Sequence, residues 1–537
     1  MFETHWCDQC NVPVLSGICG NCGKKLNSRM PDNLRPVFHE ELELLQKTTG
    51  EDLKEFSDFS LWANRRTYYW MGKPLFVVNG GNLLTNPTIS WKRKNRESVD
   101  QPFSIEVFRK ANSGPVRSLT EEAKQFIEET YRKYREDVDL TTVAFSGGKD
   151  STVILDLASK ALKKDSYKVI FIDTKFELPD TYEYVNEMAK QYEILKSEPK
   201  REPIDLWREM LPPSRTIRWC CYALKTGPYE MLVKKVSGKN NTRMLTFEGI
   251  RSEESFKRAK YPRIDFESKI HSQISVRPIF EWSSIEVWTY ILQNRLSYNK
   301  AYEYGFERVG CLYCPFGSKR DDHMVSVLYN DSLAPFLSVL RDFTAKAFIN
   351  DIDDYLKNMQ WKKRRGGKRS EEEQNLRSSA TEEEIFYLAS KFISYSDFEM
   401  FLKPIGNLTV ILSSESERIY QIDGAKFGTA IVVVQKEEEG TAVRLQKSNV
   451  NISKINKLLF YQLNKILECV CCGYCESICP VNAISVSGKT YRIDSSKCLS
   501  CGKCIDFVSY GCLSKLSKAI GGKSCEYKPA SDFRFKK

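Results

Sequence analysis

The sequence predicts an α/β protein with a doubly wound, mainly parallel sheet at its centre and small cysteine-built modules at either end. Three observations lead there. Between residues 118 and 330, short apolar strands alternate with amphipathic helices, the pattern of a parallel sheet covered on both faces. Those strands end in Ser, Gly, Asp and Arg, at the edge where such sheets bind ligands. The 18 cysteines fall into three groups: four at the N-terminus, four mid-chain and ten toward the C-terminus.

At 537 residues the chain calls for several units. Hydrophobic residues make up 41% and charged residues 28%, the profile of a globular protein in water. No run of 18 apolar residues occurs, so no transmembrane helix is expected. Met1 to Cys7 has neither a basic nor an apolar leader segment, and the expected location is the cytoplasm. Thiols there stay reduced, so Cys-x-x-Cys pairs read as metal ligands before disulfides. The net charge of +11 suits phosphate-bearing partners, nucleic acid included. Its local clusters, Trp91 to Arg96 and Trp361 to Arg365, read first as solvated loops.

Residues 1–34 carry Cys7-x2-Cys10 and Cys19-x2-Cys22, two knuckles that supply four thiolates for a zinc ribbon. Metal binding supplies folding energy to a stretch this short; a rubredoxin-like iron site has the same spacing. Residues 35–117 alternate strand-like runs (Pro74 to Val78) with turn signals (Asn79-Gly80-Gly81-Asn82), a small β-rich domain that vaguely resembles RNA-binding PUA-like modules.

The core is expected over 118–330. A helix from Thr120 to Arg135 leads into the strand Thr141 to Phe145, then Ser146-Gly147-Gly148-Lys149-Asp150-Ser151, then a helix. Further strands are expected at Val169 to Ile172, Arg243 to Phe247 and Val276 to Phe280. Gly147 and Gly148 let the backbone approach a ligand, and the following helix points free N–H groups at an anion. Ser146, Lys149 and Ser151 add donors and charge. The spacing is not that of a Walker loop.

Ser146 to Ser151 after a strand resembles the PP-loop of the N-type ATP pyrophosphatases, a group with adenine nucleotide α-hydrolase-like folds. Ile172-Asp173-Thr174-Lys175-Phe176-Glu177, Gly249-Ile250-Arg251 through Arg258, and Arg277-Pro278-Ile279 with Trp282 narrow the resemblance to the PAPS reductase superfamily. Lys175 stands where that family usually has glycine. The resemblance implies that Ser146, Gly147, Gly148, Lys149, Asp150 and Ser151 hold phosphate or phosphosulfate, with Asp173 and Thr174 near the nucleotide. It implies that Arg251, Arg258 and Arg277 offer guanidinium forks to anionic oxygens, with Lys149 as a catalytic cation.

Cys220-Cys221 and Cys311-x2-Cys314 resemble the 4Fe–4S signature of assimilatory adenylylsulfate reductases and of ferredoxin-fused archaeal proteins of the same class; zinc is the competing occupant. After a helical linker and a small α+β insert over 331–462, with strands at Leu408 to Leu412 and Thr429 to Val434, residues 463–520 read as a two-cluster ferredoxin domain. Cys469-x2-Cys472-x2-Cys475-x3-Cys479-Pro480 is the bacterial ferredoxin run, and Cys498-x2-Cys501-x2-Cys504 follows. The exchange of fourth ligands in such domains gives Cys469, Cys472, Cys475 and Cys512 one 4Fe–4S cluster and Cys498, Cys501, Cys504 and Cys479 another, three clusters in all. Cys512 departs from the simple pattern in its longer gap and missing proline. Reductases of the family also use a tail cysteine as nucleophile; their Glu-Cys-Gly-Leu-His segment is absent, which leaves Cys525, in the tail 521–537, as the candidate.

Two activities follow. In one, an iron–sulfur oxidoreductase reduces phosphoadenylyl or adenylyl sulfate to sulfite, with electrons from a donor protein or reduced ferredoxin passing through the fused domain. In the other, the intact PP-loop splits ATP to thiolate tRNA or DNA. A redox-sensing binding protein is a third, weaker reading. An oligomer is compatible with all three.

Overall fold

The computed structural model describes residues 2–56, 61–93, 102–266, 272–347, 349–364, 375–447 and 451–518. The N-terminal hairpin pairs β1 (His5–Cys7) with β2 (Val12–Val14). A five-stranded antiparallel sheet follows, β3 (Arg35–Pro36), β4 (Leu61–Asn64), β5 (Thr67–Trp70), β6 (Lys73–Asn82) and β7 (Thr85–Trp91), hydrogen-bonded in chain order. Helix α1 (His39–Thr49) packs Leu42 and Leu45 into the same core as Tyr68, Trp70 and Phe76. The expected turn Asn79 to Asn82 is instead ladder, with Asn79 opposite Thr88 and Asn82 opposite Thr85. The chain reverses one step later because the Asn82 carboxamide oxygen accepts from Leu84 N at 2.9 Å and Thr85 N at 3.1 Å.

The helix expected from Thr120 begins fifteen residues earlier: α2 runs Ile105–Tyr134, with Pro115 inside it. Proline in a helix interior costs about 3 kcal/mol. Here a buried stripe of Phe108, Ala111, Val116, Leu119, Ala123 and Ile127 at helical spacing outweighs it. Residue 117, the expected domain boundary, therefore lies within a helix.

The central sheet has the order β10-β9-β8-β11-β13-β12. Strands β8 (Leu140–Phe145), β9 (Lys168–Ile172), β10 (Ile194–Ser197), β11 (Met244–Phe247) and β13 (Gln273–Val276) are parallel; β12 (Ile264–Asp265) joins antiparallel at the edge. The strand expected at Val276 to Phe280 thus ends where it was to begin, because Pro278 cannot donate to a ladder. Side chains alternate as a two-faced sheet requires. Val169 and Phe171 pack in one core with α2, α3 (Lys149–Ala161), α4 (Pro179–Met188) and α8 (Ser284–Asn294). Ile170 meets Tyr229 and Val233 of α7 (Gly227–Ser237) on the other. Between these lie α5 (Pro203–Met210) and the short α6 (Trp219–Cys221); α9 (Lys319–Leu328) follows the core.

The expected small insert is a six-stranded antiparallel sheet in the order β14-β15-β19-β18-β17-β16, formed by β14 (Leu376–Ala380), β15 (Glu384–Ala389), β16 (Asn407–Ser413), β17 (Glu417–Gly424), β18 (Gly428–Glu437) and β19 (Gly440–Gln446). Its apolar face shares a core with the helix Ile452–Glu468 and with the last cysteine-rich module, whose hairpin is β20 (Ile484–Ser487) and β21 (Thr490–Ile493). No helix among the described residues is long and apolar enough to cross a membrane.

Candidate functional site

Five parallel strands deliver their carboxyl ends to one edge, and the chain order reverses between β8 and β11, the switch point where open α/β sheets bind ligands. The PP-loop lies there. Gly147 has φ +70°, and a Cβ on it would lie 2.9 Å from Thr181 Cγ2. Ser146 N donates to Ser151 Oγ at 3.1 Å, and Ser151 Oγ donates to Gly148 O at 2.8 Å, closing the loop on itself. Across the switch point, a Cβ on Gly249 would fall 2.7 Å from the carbonyl carbon of Asp150, so only glycine admits this approach of backbone to backbone.

The loop's charges are paired internally. Lys149 is 3% exposed; its ammonium donates to Asp150 Oδ2 at 3.0 Å and to Glu307 O at 3.3 Å. Arg251 Nε donates to Asp150 Oδ1 at 2.6 Å. Burial pushes the Asp150 carboxyl up, but Lys149 and Arg251 outweigh it and hold it down at about 2. The other two expected anion forks also hold carboxylates: Arg258 binds Glu254, and Arg277 binds Asp265 at 3.2 Å with Glu248 at 3.6 Å. An incoming oxyanion would compete with these acids. Asp173 accepts from Lys175 N at 2.7 Å and Tyr182 OH at 3.0 Å, and Lys175 takes φ +54°, the left-handed conformation that suits glycine.

Thr174 joins this edge to the mid-chain cysteines. Its hydroxyl donates to Glu177 Oε1 at 2.6 Å and lies 3.9 Å from Cys311 Sγ, which is itself 3.8 Å from Glu177 Oε1. Glu177 and Cys311 form a β-bridge, and Leu312 N donates to Phe176 O at 2.6 Å. Cys220 and Cys221 come from α6, which runs without a break into a π-helical turn, Tyr222–Thr226, and then α7. The four thiols act on one another electrostatically. Arg218 Nη2 donates to Cys221 Sγ at 3.3 Å. A hydrogen bond from Cys220, with the nearby charges of Arg218 and Lys225, holds the Cys221 thiol well below its usual value against the effect of burial. Two cations beside four thiols fit an anionic, thiolate-ligated group.

At the N-terminus the fit is tighter. The sulfurs of Cys7, Cys10, Cys19 and Cys22 all lie within 4.8 Å of one another. Cys7 and Cys22 are 3.6 Å apart and Cys10 and Cys19 3.7 Å. A tetrahedron with Zn–S bonds of about 2.3 Å has edges of about 3.8 Å, so the four are set for one metal ion. Asn21 Nδ2 donates to Cys10 Sγ at 3.3 Å, a supporting contact around the ligands.

In the C-terminal module several thiols are near enough to influence one another. Cys512 is acted on by Cys469 and Cys475, and Cys498 by Cys479 and Cys501. Lys465, fully buried, points its ammonium to Cys504 O at 2.5 Å and has no carboxylate partner among the described residues. A buried lysine tends to lose its proton without an anionic neighbour; the neighbouring cysteines act to keep this one charged against its burial. Cys525 lies outside the described residues.

With the sheet edge, the loop and the thiols in place, the comparison with known proteins becomes specific. Residues 141–316 match the phosphoadenosine phosphosulfate reductase domain family. Curated proteins similar to this chain include two uncharacterized proteins of Methanocaldococcus jannaschii. One is 35% identical over 50% of this chain and 53% of its own length; the other is 33% identical over 48% and 60%. The chain thus spans between half and two thirds of these relatives. An adenosine 5′-phosphosulfate reductase of Oceanobacillus iheyensis is 27% identical over 36% of this chain and 78% of its own. A crystal structure of a phosphoadenylyl-sulfate reductase from Candida auris, 21% identical, covers 40% of this chain and 98% of its own at a TM-score of 0.28.

Several residues of this sheet edge carry no signal in the sequence. Asn299 Nδ2 donates to Gly147 O at 3.2 Å, and the Tyr302 hydroxyl accepts from Lys149 N at 2.9 Å. Lys225 lies 3.9 Å from Glu177. All three arrive from elements that no spacing rule links to the loop.

Proposed function

We propose that the chain reduces an adenylylated sulfate, adenylyl sulfate or its 3′-phosphate, to sulfite. One observation carries this reading: Cys311 packs against Thr174 at the end of β9, so the mid-chain thiols share an edge with the nucleotide loop. The S–O bond to the nucleotide phosphate breaks, sulfur passes from the +6 to the +4 state, two electrons enter, and adenylate or its 3′-phosphate departs. The backbone of Ser146 to Gly148 and the N-terminus of α3 bind the phosphate. Lys149 and Arg251, once shared with the substrate's oxyanions, neutralise charge that builds on the leaving group.

Cys220, Cys221, Cys311 and Cys314 would hold one 4Fe–4S cluster; Cys469, Cys472, Cys475 and Cys512 a second; Cys498, Cys501, Cys504 and Cys479 a third; Cys7, Cys10, Cys19 and Cys22 zinc. Iron–sulfur clusters, when bound, supply one-electron transfer. Arg218 and Lys225 offset the charge of the first site, and Lys465 that of the C-terminal ones. The proposed reductant is a reduced one-electron carrier protein, used twice per turnover. Cys525 is the candidate nucleophile.

The intact PP-loop sequence, Ser146 to Ser151, favours a second reading, ATP-dependent thiolation of tRNA or DNA. Anaerobic assay separates the two. Sulfite formed from adenylyl sulfate or its 3′-phosphate with reduced viologen, and lost in Cys220→Ser, supports the reductase. Pyrophosphate released from ATP only when RNA or DNA is present, without sulfite from either substrate, rejects it.

A further inference from the structure

The C-terminal module presents its two thiol sets differently. The segment Cys469 to Cys475 has no exposed residue, and its Tyr474 is buried against the nucleotide core: the rings of Tyr222 and Tyr474 meet edge-on with centroids 5.3 Å apart. The Cys498 to Cys501 loop of the other set, by contrast, does expose a side chain. Between Cys498 and Cys501 stands Leu499, 68% exposed, although leucine is ordinarily inside. It is displayed by structure, since Ser500 takes φ +50° and its hydroxyl donates to Lys403 O at 2.7 Å, pinning the loop.

Lysines lie on this loop and against it. Lys426 Nζ donates to Cys501 O at 3.0 Å and lies 3.1 Å from where a Cβ on Gly502 would sit. Lys403 is tied to the loop through its carbonyl, which accepts from Ser500. Lys497 and Lys503 flank the loop in the chain. Two carboxylates pair within the patch, Asp494 with Lys497 at 2.8 Å and Asp506 with Lys457 at 3.4 Å and Lys454 at 3.8 Å. The patch remains cationic. A small apolar centre with a one-signed charged rim is the form of a transient, electrostatically steered contact, and electron-transfer encounters belong to the smallest interfaces.

We propose that the loop bearing Leu499, with Lys497 and Lys503 on it in the chain and Lys403 and Lys426 bonded against it, is the docking point for an acidic one-electron carrier protein. This rests on the reading above that Cys498, Cys501, Cys504 and Cys479 hold an iron–sulfur cluster. The surface is positive, so a cationic or neutral carrier gains nothing there. It leaves the buried side of the module to the nucleotide core.

The test uses the full chain loaded anaerobically with iron and sulfide. Stopped-flow absorbance follows bleaching of its iron–sulfur chromophore by a reduced acidic bacterial ferredoxin and, separately, by reduced methyl viologen, a small cation. In Lys403→Glu/Lys426→Glu and in Leu499→Ala, equal iron content establishes intact loading. At low salt the charge-reversed variant is expected to be slowed about tenfold or more with ferredoxin and unchanged with viologen, the difference closing as salt rises. The same variant is expected to lose ferredoxin binding in titration calorimetry. Slowing with both reductants, or with neither, overturns the docking site. Sulfite release is not the readout, so a protein that bleaches normally yet makes no sulfite rejects the reductase reading and leaves the docking site standing.

Discussion

The ring of Tyr222, the residue after Cys221, meets the ring of Tyr474, which stands between Cys472 and Cys475, at 5.3 Å and 62°. Beside this contact a Cβ on Gly227 would lie 3.0 Å from Tyr222 O and 3.1 Å from Tyr474 Cδ2. Gly227→Leu is expected to wedge the module from the core and cost about 1–3 kcal/mol, read as a lower denaturant midpoint and faster amide exchange in residues 469–479. Unchanged exchange there would mean that the contact does not hold the module.

Glu230 lies one helical turn further along α7, at the same interface. Burial, only partly offset by Lys234 and Ser477, raises its carboxyl to about 7. A folded value above the unfolded one means that the native state binds the extra proton. Its contribution is present at low pH and is lost as pH rises from about 4.5 to about 7, by at most about 3 kcal/mol. Glu230→Gln is expected to flatten that part of the stability–pH curve, measured by urea denaturation at pH 5 and pH 8.

Asp150 stands between two buried cations, 3.0 Å from Lys149 and 2.6 Å from Arg251. Asp150→Asn removes the common counterion and is expected to destabilise the core by about 3–5 kcal/mol. Inorganic phosphate at high concentration is expected to recover part of the loss in Tm by taking the carboxylate's place. No recovery would show that the two cations do not face the anion site.

Lys175 holds φ +54° and a 2.6 Å ion pair with Glu202. Exposed pairs contribute about 0–1 kcal/mol, and the left-handed backbone costs about 1–2 kcal/mol for a residue with a Cβ. Lys175→Gly is therefore expected to leave thermal stability equal or raise it by up to about 1 kcal/mol. A fall of more than that would mean that the ion pair governs the segment.

Replacing Cys10 with Ser, or dialysing against a strong chelator, is expected to remove one equivalent of zinc by elemental analysis while iron content stays constant. Trp6 and Gly72 pack together, and Gly20 sits against Ala111 of α2, so the loss is expected to spread as faster amide exchange into β5, β6 and the first half of α2.

What the sequence discloses here is local. The strand-to-helix turn at Ser146 to Ser151 and the N-terminal group of four cysteines were legible because turn chemistry and ligand spacing are short-range signals. The strand at Val276 was misread because Pro278 extends an apolar run without being able to pair. Helix α2 was half missed because Gly114 and Pro115 are strong local breakers, overridden only by the packing of Phe108 and Val116 on distant elements. Asn299, Tyr302 and Lys225 were invisible for a related reason: their roles exist only once segments far apart in the chain have met.

The long helix α2 bears on how this chain can be divided. Its first half packs on the four-cysteine segment, where Asn112 Oδ1 accepts from Leu15 N at 2.8 Å and Asn112 Nδ2 donates to Pro13 O at 3.0 Å, while its second half sits in the core beneath the central sheet. Cutting at residue 117 would sever one rod shared by two units. The N-terminal piece is thus no detachable tag: a fragment beginning at residue 118 would leave half a helix and its apolar stripe in water, and the smallest self-contained folding unit extends back to the four-cysteine segment.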